Sequence, residues 1–245
     1  MKKTYLVTAV AALLALCTAV GAFALEPYAI RENVNAPGGA GGPCALSAST
    51  NGTAANYRWY NVCSGYIWIF SALSQGEGFG VRFGGASQPA VNGDNDVKRG
   101  ITYWRNVVAN YGQTVDIYLD ADSNGDGCPE ANLASDLNLD PGLRWNCSDF
   151  GVSIPCGDTN VVLRGVHDGG AAPTIASDGP FTATCDPNAP NQSFYYGING
   201  SACLSWVGPD GTFDNFLFWL VLDTSAPCVN ATESKSWGEV KGLYR

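Results

Sequence analysis

The chain has one histidine, one methionine, and 13 lysines and arginines in 245 residues. A single imidazole, His167, rules out a histidine-built metal centre, and no C-x-x-C pair offers thiolates for zinc instead. His167 is followed by Asp168, but neighbours on a strand point to opposite faces, and no G-x-S-x-G elbow accompanies them. The pair is expected on a surface loop. The scarcity of basic residues denies the chain a phosphate-neutralising face, which argues against nucleic acid and against docking on an anionic membrane. Glutamate is also rare: Glu26, Glu32, Glu77, Glu130, Glu233 and Glu239 are all there are, and several fall in the terminal segments. Little remains for the paired carboxylates of a glycosidase. Asp210 and Asp214 flank Gly211-Thr212-Phe213 and read as turn formers. No catalytic residue is assigned.

What the chain does have begins at its start. Lys2 and Lys3 precede an apolar run from Tyr5 to Cys17, and small residues follow as far as Ala22-Phe23-Ala24. This is the pattern of a secretory signal with an A-x-A cleavage site, and no later stretch makes a membrane-spanning segment. Residues 1–24 are therefore read as a signal peptide and the protein as secreted or otherwise extracytoplasmic. Cys17, preceded by Leu16, is expected to leave with the signal unlipidated. Without the two signal lysines, 22 acidic residues face 11 basic ones.

Export makes the eight remaining cysteines, Cys44, Cys63, Cys128, Cys147, Cys156, Cys185, Cys203 and Cys228, a disulfide framework. Eight cysteines allow 105 pairings. Cys185–Cys203, which closes a loop full of Pro, Asn and Gly, is favoured, then Cys128–Cys147 and Cys44–Cys63, each bracketing a hairpin-sized stretch.

Residues 25–43 end in a Gly/Pro-rich stretch and read as a tether. From Cys44 to Cys228, short runs rich in Val, Ile, Phe, Tyr and Trp are broken by Gly, Asn, Asp and Pro. This is the texture of an all-β antiparallel sandwich, jelly-roll or immunoglobulin-like. Strands are expected over 57–62, 65–73, 78–84, 101–109, 114–120, 151–155, 160–166, 193–198, 202–207 and 215–223. Residues 115–120 alternate, with Val115, Ile117 and Leu119 on one face. The run 216–222 is apolar on both faces and demands a central position. In the tail, 229–245, Ser236-Trp237-Gly238-Glu239 has the form of a helix N-cap box. A short amphipathic helix is expected over 236–244.

The sharpest motif is Asp120-Ala121-Asp122-Ser123-Asn124-Gly125-Asp126. Oxygen ligands at alternate positions followed by a tight Gly turn match the first half of a calcium loop. The expected ligands are Asp120, Asp122, Asn124, Asp126 and, one residue early for the closing acid, Glu130. The same residues also suit a plain hairpin turn. A second candidate surface is aromatic. Trp59, Tyr196 and Trp206 border polar loops and are the rings most suited to stacking on a sugar, whereas Trp68 and Trp219 lie in apolar strands and read as core.

The segments Ser193–Cys203 and Asp214–Asp223, with the ending Trp237-Gly-Glu-Val-Lys-Gly-Leu-Tyr-Arg245, resemble a group of uncharacterised exported bacterial β-sandwich proteins. That group shares a W-G-x-[IV]-K-x-L-Y-R terminus. The resemblance implies export and fold and brings no activity. A shared terminus of this kind suits either a sorting address or a helix capping a sheet edge. The expectation is a secreted or cell-surface binding or structural module, calcium-stabilised, with an extracellular glycan or surface protein as partner. The alternative is a secreted glycan hydrolase.

Overall fold

The computed structural model describes residues 26–31, 44, 54–60, 64–84, 95–105, 113–142, 144–154, 160–170, 172–179 and 192–223. These form thirteen strands: β1 (Glu26–Arg31), β2 (Ala54–Arg58), β3 (Tyr66–Ser71), β4 (Glu77–Gly84), β5 (Asn95–Arg105), β6 (Val115–Ala121), β7 (Ala131–Leu139), β8 (Trp145–Ile154), β9 (Asn160–His167), β10 (Thr174–Asp178), β11 (Ser193–Ile198), β12 (Leu204–Ser205) and β13 (Phe218–Asp223). No helix occurs among the described residues. The helix expected at 236–244, and Cys63, Cys156, Cys185 and Cys228, lie outside them.

The strands make two antiparallel sheets. The first runs β1-β3-β10-β5-β13-β2, with β8 also on β5; the second runs β12-β11-β4-β9-β6-β7. They face each other across one apolar layer. Phe70, Val97, Trp104, Phe218 and Leu220 of the first sheet meet Phe79, Val81, Phe83, Val115, Ile117, Leu119, Val161 and Leu163 of the second. The expected alternation of β6 holds, since Val115, Ile117 and Leu119 are fully buried.

The first sheet also buries its other face. Ile67 and Ile69 of β3, Ile101 and Tyr103 of β5, Ala176 of β10, and Trp219 and Val221 of β13 form a second cluster with Tyr60, Cys44 and Leu217. Two-sided burial explains why 216–222 has no polar face: β13 lies between β5 and β2, with both faces dry. Trp219 is core, as expected, while Trp68 is half-buried against the inner layer.

Three strands stand where none was expected. β1 begins the segment read as a tether. β7 is made of Ala, Asn, Asp, Ser and Leu, most of them exposed; its backbone ladder to β6, not its side chains, defines it. β10 is small and polar (Thr-Ile-Ala-Ser-Asp), yet every residue is buried, because β3 and β5 pair on either side of it.

All three ranked disulfide pairings are corrected. Cys44 bonds Cys147 across 103 residues and Cys128 bonds Cys203 across 75, each with Cα atoms 5.8 Å apart. Strand pairing, not closeness in sequence, brings these cysteines together: β8 lies beside β5 on the outer cluster, and β11–β12 lies beneath the loop that carries Cys128. Closing loops this long removes on the order of 4–5 kcal/mol of chain entropy from the unfolded state. Peptide mapping under non-reducing conditions should recover Cys44–Cys147 and Cys128–Cys203. Replacing both cysteines of one pair by serine should lower unfolding stability by about 2–5 kcal/mol in denaturant titrations.

Candidate functional site

The outer face of the second sheet carries its charge. Residues paired across strands share a face, so Tyr118 and Asp120 of β6 stand beside Arg164 and Val162 of β9. Arg82 and Gly80 of β4 and Phe194 of β11 continue the row. Arg164 Nε donates to Asp120 Oδ2 at 2.8 Å. Its guanidinium lies over the Tyr118 ring, 4.5 Å from the centroid, and 6.0 Å from that of Tyr196. Asn132 Nδ2 donates to the other Asp120 oxygen at 3.1 Å. Asp120 is almost wholly buried, and an unpaired charge there would be costly.

The loop expected to bind calcium folds back over this face. Arg82 Nη1 donates to the Gly125 carbonyl, Tyr196 Oη donates to the Gly127 carbonyl at 2.9 Å, and the Cys128–Cys203 disulfide fixes its far end. Gly127 has a φ of +84° and rests on the Phe194 ring, so a side chain there would collide with the ring as well as strain the backbone. Inside the loop, Asn124 Oδ1 accepts from Asp126 N at 2.9 Å and Asp126 Oδ1 from Cys128 N at 2.8 Å. Glu130 Oε2 accepts from Ser123 N at 3.0 Å. Asp122 Oδ2 accepts from Gly127 N at 3.0 Å, while its Oδ1 is buried without a hydrogen-bond partner among the described residues. Burial, the largest effect, pushes the Asp122 carboxyl above its ordinary value, against the hydrogen bond from Gly127 and the charge of Arg82.

The five expected ligands thus divide. Asp122, Asn124, Asp126 and Glu130 belong to one loop. Asp120 turns both oxygens to Arg164 and Asn132. Among the described residues, no three His, Cys, Asp or Glu side chains gather as a metal-binding group.

The three expected ligand-binding aromatics do not form one platform. Tyr196 is buried under the loop, and Trp206 packs edge-on against Phe70, 4.9 Å between centroids, within the inner layer. Trp59 is half-buried and donates its indole N–H to the Arg82 carbonyl. Stacking on a sugar needs an open ring face, which Tyr196 and Trp206 lack.

Two polar expectations are also corrected. His167 is not on a surface loop: it continues the inward alternation Val161, Leu163, Gly165 to the end of β9 and is buried near Trp104. Its Nδ1 accepts from Gly169 N at 2.7 Å, so Nε2 carries the proton and donates to the Pro173 carbonyl at 2.8 Å. Burial lowers its pKa. Asp210 is the turn former foreseen, accepting from Thr212 N and Oγ1. Asp214, however, is wholly buried with Asp178, Ser177 and Asn215. Ser177 Oγ donates to its Oδ2 at 3.4 Å, and its Oδ1 lies 3.2 Å from Thr212 Oγ1, whose one hydroxyl hydrogen is given to Asp210 at 2.6 Å.

Sequence reasoning passed over Arg82 and Arg164. The signal was available: each is a lone cation in an otherwise apolar strand, Val161-Val-Leu-Arg-Gly-Val166 and Gly78-Phe-Gly-Val-Arg-Phe83. Such a charge is retained only where it has partners.

Burial first, then the charges of Asp178 and Asp210, raise the Asp214 pKa from 3.8 to about 8. The folded protein therefore holds this proton where the unfolded chain has released it. The contribution is full below about pH 4 and is lost as pH rises through about 8. Asp214→Asn, which mimics the protonated form, should melt increasingly above wild type as pH goes from 5 to 9. Parallel melting curves across that range would refute the buried proton. Comparisons with family models, with curated proteins and with solved structures found no match to this chain.

Proposed function

We propose that the chain is an exported, disulfide-braced binding or structural module without enzymatic activity, whose 122–130 loop is stabilised by calcium. The observation that carries the calcium reading is Asp122 Oδ1, a buried carboxylate oxygen with no hydrogen-bond partner among the described residues, in a loop that also holds Asn124, Asp126 and Glu130. Buried polar atoms of this kind need a partner, and a hard cation suits a carboxylate. Asn124 and Asp126 oxygens and loop carbonyls would complete the shell with water. Asp120 stays with Arg164 and contributes charge, not a ligand. Oxidised disulfides and the signal-like start support export. Among the described residues, no helix is long and apolar enough to cross a membrane.

The rival reading is a glycan hydrolase, which requires two carboxylates on either side of a bound substrate. Asp178 and Asp214 are closed off from solvent. Among the described residues, no carboxylate lines the cleft beside Arg164. The binding module is therefore the better supported reading.

Calcium at about ten to a hundred times its dissociation constant should add about 1.4–2.7 kcal/mol, or several degrees in Tm. The comparison is thermal melting in about 10 mM calcium, suited to the weak sites of extracellular modules, against excess chelator. Asp122→Asn should abolish the shift. Because calcium must displace the proton that burial favours on Asp122, the shift should shrink as pH falls. An unchanged wild-type Tm would remove calcium from this reading.

A further inference from the structure

We propose that the cleft between the 122–130 loop and the β11–β12 hairpin binds a hexuronic acid, a sugar-sized ring bearing one carboxylate, through the Nη groups of Arg164. The inference rests on the chain being a binding module and names its ligand class.

Arg164 is held as a receptor group would be. Its Nε is committed to Asp120, Asp120 is held in turn by Asn132, and the guanidinium plane is supported by Tyr118. The side chain is only 19% exposed. Among the described residues, Nη1 and Nη2 have no acceptor. Two fixed, unfilled donors on a planar fork match a carboxylate bidentately, a geometry that lysine cannot offer.

Arg164 lines a cleft of about 340 Å³. That is the small end of the range for ligand pockets, the scale of one pyranose ring. Pro129, Ala202 and the Cys128–Cys203 disulfide give it apolar walls for the C–H face of a sugar, and Asn199 and Gly200 line it beside them. The Asp120 carboxylate already balances the arginine, so the site suits a singly charged carboxylate better than a phosphate. Cys128 and Pro129 belong to the 122–130 loop, so calcium there adds positive charge beside the cleft and should tighten binding.

The test is calorimetric titration of oxidised protein lacking residues 1–24 with glucuronate and galacturonate, in calcium and in chelator. Glucose, galactose and acetate serve as controls. The uronates should bind at least about tenfold more tightly than the neutral sugars or acetate, as the loss of a charge-assisted pair implies. Arg164→Lys keeps a cation opposite Asp120 but removes the fork. It should weaken uronate binding about tenfold or more with Tm unchanged. Ala202→Trp should fill the cleft and abolish binding while leaving the calcium-dependent Tm shift in place.

Uronates that bind no better than glucose or acetate, or equally well in both variants, overturn the proposal. That result leaves the calcium reading standing if the Tm shift persists. Uronate binding that depends on Arg164 and Ala202 without any calcium shift upholds the cleft and discards the metal.

Discussion

β5 and β13 bury side chains on both faces, and the rest of the architecture follows from that demand. Ile101, Tyr103, Trp219 and Val221 enter one apolar cluster, while Trp104, Phe218 and Leu220 enter the other. A sheet with two dry faces needs two covers. The second sheet supplies the inner one. On the outer side, Tyr60, Trp145 and the Cys44–Cys147 disulfide join the cluster, with Trp145 lying 5.0 Å from Tyr103 between ring centroids. A disulfide that closes a long loop and an aromatic cluster thus act on the same surface, one limiting the unfolded chain and the other filling space.

The second sheet closes the main core with its inner face and is mixed on its outer face, where Val162, Phe194 and Tyr196 form a small buried cluster among the charged residues. Arg82, Arg164, Asp116, Tyr118 and Asp120 stand there, and the Asp/Asn/Gly loop is drawn over them by the Cys128–Cys203 bond and by Tyr196. This face therefore carries both unsatisfied chemical demands that matter for binding, the unpartnered Asp122 oxygen and the unfilled Arg164 donors. Asp122 is part of the 122–130 loop, and Arg164 lines a cleft that the same loop's Cys128 and Pro129 also line. A cation in the loop and an anion in the cleft would each favour the other's binding, and any such coupling must be reciprocal.

The junction that Gln192 links to Arg82 uses burial differently. Asp178, Asp214, Asn215, Ser177 and Ser193 are enclosed where β10, β11 and the start of β13 meet. Asn215 N donates to Asp178 Oδ1 at 2.6 Å, and Phe216 N donates to Ser193 Oγ at 2.9 Å, so side chains take over the ladder where strand pairing stops. Keeping Asp214 protonated lets two carboxylates share a dry site without a full charge on each.

Composition and periodicity by themselves determined the fold class, the two-sided burial of 216–222, the alternation of β6 and the loop at 120–126, because each is a local pattern repeated at the strand period. The second sheet's edge strand β7, the polar strand β10 and the cysteine pairing came only from the tertiary structure, since backbone ladders and long-range closure leave no local pattern in the chain. The same holds for individual side chains. A tryptophan beside a polar loop, a histidine at the end of an apolar run and a lone arginine within a strand all look alike in sequence. Only the neighbours across the sheet decided that Trp206 and His167 are core and that, among the described residues, Arg164 Nε alone is engaged.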